Sequence, residues 1–292
     1  MNRRTLIVII VAAVLVTLIS TVLTVLFFIA GLKEELPAAS GRALGYVTIQ
    51  GPITDSRETV RQLKSLAKNP QVKGILIRVE SPGGGVTAAH EIYSEIKRIK
   101  EAGKPVVVSM GTVAASGGYY VSSPASVIVA NPGTLTGSIG VIMELPVIRG
   151  LLDKIGMKVE VIKSREAKDI GSPFREMTEA DRRLLQGVVS DVYEQFLQVV
   201  SAERRIPLDS LKTIADGRIL TGRQAKGLGL VDTLGTLEDA KRILADLCGI
   251  KGEPKLIKPR PKLGYLWRQF FEETGRRLLG ELEFPRLSYR WF

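Results

Sequence analysis

Ser116 lies in Ala114-Ala115-Ser116-Gly117-Gly118-Tyr119-Tyr120, which follows the apolar run 106–109. Small residues on both sides leave room for a substrate to reach its hydroxyl. A helix starting here would turn its N-terminal dipole and the Gly117 amide toward a developing oxyanion. Ser116 is therefore a candidate nucleophile, and a serine that merely caps that helix is the competing reading. A second stretch, Ser81-Pro82-Gly83-Gly84-Gly85, follows the apolar run 74–79 and precedes a helical pattern from Val86. Its backbone N–H groups, Gly83 among them, can point at a ligand oxygen, although a plain tight turn uses the same residues. The stretch has neither a lysine followed by Ser or Thr nor a Gly-x-Gly-x-x-Gly pattern, so nucleotide binding is not supported.

A serine hydroxyl is a poor nucleophile until a base takes its proton. The sequence has one histidine, His90, about one turn into the helix after Gly85 and close to Glu91 and Glu95, which reads as a solvated helix-face residue. The other option is a lysine. Serine–lysine pairs are a variant of the triad logic, but the amine must be neutral, and burial in apolar surroundings is needed to lower a pKa that is normally about 10.4. Lys168, with Ala167 before it and Gly171-Ser172-Pro173-Phe174 after it, differs from the surface lysines, yet spacing alone does not select it. One histidine and one cysteine, Cys248, cannot build the usual His/Cys zinc site or an internal disulfide, so metal-dependent hydrolysis is disfavoured and no cofactor is expected.

These residues need a scaffold. The 292 residues are 45% hydrophobic and 24% charged, which excludes a disordered or collagenous chain and limits the molecule to one or two domains. Apolar, β-branched runs at 43–50, 74–79, 106–109, 126–130 and 159–162 read as strands. Helical patterns lie between them, with Ile92, Ile96 and Ile99 on one face, so the alternation predicts an α/β domain with a mostly parallel sheet. Thr178 and Asp181 form a capping-box-like start to a long helix whose stripe is Leu185, Val188, Val189, Val192, Phe196, Val199 and Val200.

Both ends differ in composition from this body. After Arg3 and Arg4, residues 6–32 carry no ionisable side chain and are long enough to span a bilayer. An uncleaved anchor is the favoured reading, with residues 1–5 cytoplasmic and everything after Lys33 on the other side; Ala38-Ala39-Ser40 leaves removal open. Residues 33–42 read as a linker and 43–250 as the working domain. In the tail, residues 251–292, ten Lys or Arg face five Glu among four prolines. There Leu263, Leu266, Trp267, Phe270, Phe271, Leu278 and Leu282 can line one helix face, to pack on protein, touch a membrane or dock autoinhibitorily. Gly275 and Gly280 weaken such a helix. The net charge of +11, without local clustering, does not identify a nucleic-acid partner, and none is expected.

Four ordered motifs now carry a resemblance: Ser81-Pro82-Gly83-Gly84-Gly85, Ala115-Ser116-Gly117-Gly118-Tyr119-Tyr120, Thr136-Gly137-Ser138-Ile139-Gly140 and Lys168-Asp169-Ile170-Gly171-Ser172-Pro173. Over about residues 43–250 the chain resembles the signal peptide peptidase A family, in its short single-repeat form, within the Clp protease/crotonase fold superfamily. The resemblance implies Ser116 as nucleophile, Lys168 as general base, Ser138 as the hydroxyl that positions the amine, and the Gly83 and Gly117 amides as oxyanion hole. It also implies a ring- or dome-shaped homo-oligomer, of eight chains, in which Ser116 meets Lys168 of an adjacent protomer. Remnant signal peptides in the membrane are the implied substrates. The expected partners are thus peptides, membrane lipid and further copies of the chain. Alternatives are a membrane protease that trims one protein partner, a non-catalytic peptide-binding scaffold, and an acyl-CoA enzyme of the same superfamily, against which the apolar tract argues.

Overall fold

The structure, a computed structural model, describes residue 2, residues 12–25 and 43–259, and the backbone of 287–290. The chain divides into two compact units, residues 1–40 and 41–292. In the first, residues 12–25 form a helix, α1, with all of its side chains exposed. Thr17, Thr21 and Thr24 donate their hydroxyls to carbonyls four residues back, which satisfies these polar groups within the apolar tract. Among the described residues no helix is long and apolar enough to cross a membrane. The rest of 6–32, the linker 33–42 and the tail residues proposed as an amphipathic helix lie outside the described residues.

The second unit is a layered α/β body. Its strand β1 (Ala43–Gln50) is followed by helix α2 (Arg57–Lys68), then β2 (Val72–Ser81), the three-residue β3 (Gly83–Gly85), helix α3 (Val86–Glu101) and β4 (Val106–Ala115). β2 and β4 are nearly continuous apolar runs because both of their faces are covered. Ile75, Ile77, Val106, Val108 and Met110 belong to the core shared with α2 and α3. The alternate residues Leu76 and Val107 turn the other way, onto Leu244 and Ala245 of the later helix α9 (Leu237–Leu247).

After β4 come the short helix α4 (Gly117–Ser122), β5 (Val127–Ala130), β6 (Leu135–Gly137), β7 (Ile142–Met143) and helix α5 (Arg149–Lys154). A 3-10 turn over Glu166–Asp169 leads to the long α6 (Glu179–Arg204), then α7 (Leu208–Lys212), β8 (Ile219–Thr221), α8 (Gly222–Gly227) and β9 (Thr233–Leu234). The strand order is β10-β1-β2-β4-β5-β9, all parallel, where β10 (Lys255–Ile257) adds residues from the stretch read as tail to the edge beside β1.

β4 changes partner along its length: Val107–Ser109 pair with β5, and Val113–Ala115 pair with β6. Between these halves its register against β2 slips, from Val79↔Met110 to Ser81↔Ala114. The Glu80 carboxylate fills the slip, accepting from the Thr112 and Val113 amides at 2.9 and 3.0 Å. Such a carboxylate satisfies the amides that a bulge takes out of the ladder.

The capping box at Thr178 and Asp181 forms as its residues predict. The apolar stripe behind it is only half used. Val192, Phe196 and Val200 are buried, whereas Val188 is 44% exposed and Leu184, off that stripe, 56%. The expected strand at 159–162 does not form: among the described residues no strand pairs with it, and Val159, Val161 and Ile162 are exposed. Phe196 is fully buried with its edge on Tyr120 at 5.0 Å between ring centroids. Phe196→Ala should therefore lower the unfolding free energy by about 3–5 kcal/mol in a denaturant titration, and a loss below about 1 kcal/mol would show that this contact does not anchor the body.

Candidate active site

Ser116 is the one-residue joint between β4 and α4. Its backbone sits at φ 53°, ψ −115°, a left-handed conformation that a side-chain-bearing residue adopts only when its surroundings impose it. Those surroundings are explicit: the Ser116 N–H donates to the Gly137 carbonyl at 2.8 Å, and the Tyr120 N–H donates to the Ser116 carbonyl at 2.8 Å. The side chain makes no capping hydrogen bond, so the helix-cap reading of this serine gives way. Every residue of α4 is buried, with the Tyr119 hydroxyl donating to the Leu230 carbonyl.

Ser138 reaches the same place from the neighbouring strand. In the β4–β6 pairing Ala115 stands opposite Gly137, so the next residues, Ser116 and Ser138, leave two parallel strands side by side. Ser138 also has positive φ, 49°, is buried, and donates its N–H to the Arg218 carbonyl at 2.8 Å.

The glycine turn closes the third side. Gly83 and Gly84 have φ 107° and 156°, and a Cβ on Gly84 would lie 2.3 Å from the Ile53 carbonyl oxygen. Glycine is required there because the backbone of Ile53 fills the space. Gly118 is under the same kind of constraint, since a Cβ on it would lie 2.6 Å from the Ser81 carbonyl oxygen. α4 is therefore seated directly on the turn. The Gly117 N–H occupies the first position of α4, where an amide has no intrahelical acceptor. The Gly83 N–H donates to Ser81 Oγ at 3.2 Å, a long bond that an anionic acceptor would outcompete.

Two candidates share no hydrogen bond with Ser116, Ser138, Gly83 or Gly117 among the described residues. His90 Nδ1 lies 2.9 Å from the Tyr120 hydroxyl, on an exposed face of α3. Lys168 is in the 3-10 turn, exposed, and its side chain forms no hydrogen bond or ion pair among the described residues. The burial expected around its amine is thus absent within one chain.

The turn that carries Lys168 is nevertheless held firmly. Arg175 donates through Nε and Nη2 to both oxygens of Asp169 at 2.9 Å, and through Nη1 to Asp181 at 2.6 Å. Asp169 has a place in the fourth motif of the sequence but no role there, and Arg175 and Glu80 are not singled out; a charged residue near a glycine-marked turn is the signal they carry. The guanidinium holds Asp169 well below the usual carboxylate range, with Lys163 adding to it. Arg175 and the Thr178 amide hold Asp181 down to about 2. Because the folded pKa values lie below the unfolded value of about 3.9, the stabilisation is complete above that pH and is lost as pH falls through the folded values. The clamp is therefore constant across neutral and alkaline pH.

Around this arm exposed apolar side chains stand among exposed charged ones such as Lys154, Lys158 and Glu160. Val147, Leu151, Ile155, Met157 and Ile162 are exposed, Ile162 fully, and Ile148 is tied to Pro173 by an N–H···O bond of 2.7 Å.

Residues 98–251, more than half of the chain, match the profile of peptidase family S49, and residues 44–131 match that of Clp protease. A putative protease of Synechocystis sp. is 40% identical over 210 residues, covering 72% of this chain and 76% of that protein. The chain belongs to peptidase family S49. This S49 chain is accordingly a serine protease with a Clp protease-like α/β fold. It is also 36% identical to a putative signal peptide peptidase SppA of Enterococcus faecium, over 75% of this chain and 65% of that protein. With Protease 4 of Salmonella typhi it shares 37% identity over 74% of this chain, which spans 36% of that longer protein.

A methyl group on Gly118 would push α4 off the turn. Gly118→Ala should leave a folded chain by circular dichroism but lower peptide hydrolysis by about a hundredfold, the scale of a lost oxyanion donor. Hydrolysis within a few-fold of the parent would show that the seating of α4 on Ser81 is not needed.

Proposed function

We propose that the chain is a membrane-anchored endopeptidase that degrades remnant signal peptides and other unfolded peptides, with Ser116 as nucleophile and Lys168 of an adjacent copy as general base. The observation that carries this reading is the pair of serines at left-handed φ, Ser116 and Ser138, at the ends of paired strands, with no capping role for Ser116. The neutral amine of Lys168 takes the Ser116 proton while Oγ attacks the peptide carbonyl. The Gly83 and Gly117 amides receive the oxyanion, and the protonated lysine returns its proton to the leaving amine. Water then repeats the sequence to release the acyl group, and Ser138 hydrogen-bonds the lysine to orient it.

The need for a second copy follows from two facts about the single chain: Lys168 is solvent-exposed, and the arm around it exposes apolar side chains. An adjacent protomer covering that surface would desolvate the amine and favour its neutral form. A closed ring, eight copies in the form the resemblance implies, would enclose the sites and admit unfolded peptides only. The tract 6–32 is read as the anchor, with the N-terminus cytoplasmic and the peptidase body on the other side. The name of the Enterococcus relative supports a signal-peptide substrate class.

Hydrolysis of a fluorogenic peptide and labelling of the serine by a fluorophosphonate test the assignment together. Ser116→Ala should abolish both, and Lys168→Ala should abolish turnover, while His90→Ala keeps it within a few-fold. Retained turnover in Lys168→Ala with loss in His90→Ala would replace the lysine by a histidine base. Since the base works as the free amine, the rate should climb as pH is raised from about 6 to about 9. A steady fall over that interval contradicts a lysine base.

A further inference from the structure

β2 and β4 do not run in step up to the site. Val79 stands opposite Met110 and Ser81 opposite Ala114, so β4 spends two more residues than β2 on this interval and the surplus is taken up over 111–113. The mismatch matters beyond that point, because Gly83 and Ser116 each lie two residues past the Ser81–Ala114 pair. A regular ladder continued from Val79–Met110 would set Gly83 opposite Ala114 and carry Ser116 two residues too far, roughly 7 Å at about 3.3 Å per residue. A slip of one residue would turn every side chain to the wrong face, but a slip of two keeps inward residues inward. The apolar pattern of β4 therefore does not choose between the two registers.

The choice falls to polar side chains. Glu80 faces the surplus, with Oε2 accepting from the Thr112 N–H at 2.9 Å and Oε1 from the Val113 N–H at 3.0 Å, so the bulge engages both oxygens. Gly111 makes room for this, since a Cβ there would overlap Glu80 Oε2. The carbonyls of the same segment also find partners. Arg78 Nη1 donates to the Met110 carbonyl at 3.1 Å and to Ser109 Oγ at 2.9 Å, while the Thr134 hydroxyl donates to the Gly111 carbonyl and the Thr136 hydroxyl to the Ala114 carbonyl, both at 2.7 Å. Bulged backbone groups left without such partners would favour a return to the regular ladder. Glu80 is also the neighbour of Ser81, whose carbonyl seats Gly118 and whose Oγ accepts from the Gly83 N–H. One carboxylate thus joins the strand that leads into the glycine turn to the strand that leads into Ser116.

We propose that Glu80 is a positioning residue for catalysis: its carboxylate holds the two surplus residues of β4 in the bulge and so keeps the Ser116 hydroxyl level with the oxyanion donors at Gly83 and Gly117. This rests on the reading of those three residues as parts of the peptidase site. In this role Glu80 touches no reacting atom. It acts through the register of the two strands, so its loss leaves peptide binding in place and slows the attack of Ser116 on the carbonyl, where a misplacement of about 1 Å can cost on the order of a hundredfold.

Two variants of the full chain test this. Glu80→Gln keeps the size of the side chain but turns an NH2 group toward one of the two amides, and Gly111→Ala displaces the carboxylate without removing it. In both, kcat for a fluorogenic peptide should fall by about tenfold or more with KM within about twofold. The second-order rate of Ser116 labelling by a fluorophosphonate should fall by the same factor, while labelling at long times still reaches the parent's extent. Combining the two substitutions should cost no more than the larger single loss, because both act on one contact. Rates within about twofold of the parent in both variants overturn the proposal and leave the peptidase reading standing. A loss of activity accounted for by a loss of labelled serine shows that Glu80 only keeps the chain folded, and overturns it too. A parent chain that cuts no peptide and takes no label at Ser116 overturns the peptidase reading, and this role with it.

Discussion

The site depends on one backbone arrangement: Ser116 held at left-handed φ between a buried strand and a buried helix. That conformation costs on the order of 1–3 kcal/mol for a residue with a side chain, and a neighbouring strand fixes it through the Gly137 carbonyl. β6 supplies that carbonyl where β4 changes partner midway, and beside that change Glu80 satisfies the amides of the segment whose register against β2 slips. Ser138 inherits its place from the same pairing. The sheet therefore does more than carry Ser116: its irregularity brings two serines and the first amide of α4 together.

In the proposed mechanism a single chain holds half of the chemistry in this rigid frame. The other half, Lys168, sits in a turn that the Arg175 clamp holds and that exposed apolar side chains accompany. The proposed nucleophile and oxyanion donors sit where core packing enforces their geometry, while the proposed base would be delivered by a surface that a partner covers. Activity would then follow assembly, and a dissociated chain would carry an exposed lysine and an idle serine.

Much of this was legible in the residues. The apolar runs of β1, β2, β4 and β5 and the start of α3 at Val86 follow from patterning, since buried parallel strands are written as continuous apolar segments. The capping box of α6 follows from local hydrogen-bond chemistry. The run 159–162 misled because β-branched apolar residues look alike whether a strand or an unpartnered arm uses them. Gly84 and Gly118 could be seen as glycines, but the reasons for them, the backbone of Ile53 and the carbonyl of Ser81, are contacts between distant segments that no local pattern records. The same holds for β10, whose pairing depends on an edge that only the folded sheet creates.

The central claim is that the hydroxyl and the amine come from different copies of the chain, and mixing two inactive variants measures it directly. Ser116→Ala and Lys168→Ala chains, each without turnover, are combined in equal amounts, dissociated and reassembled. If the pair forms across an interface, about a quarter of the interfaces join an intact serine to an intact lysine, and peptide hydrolysis returns to about that fraction of the parent rate. If the mixture stays as inactive as its components after reassembly is verified, the two groups belong to one chain or are not partners, and the account is contradicted.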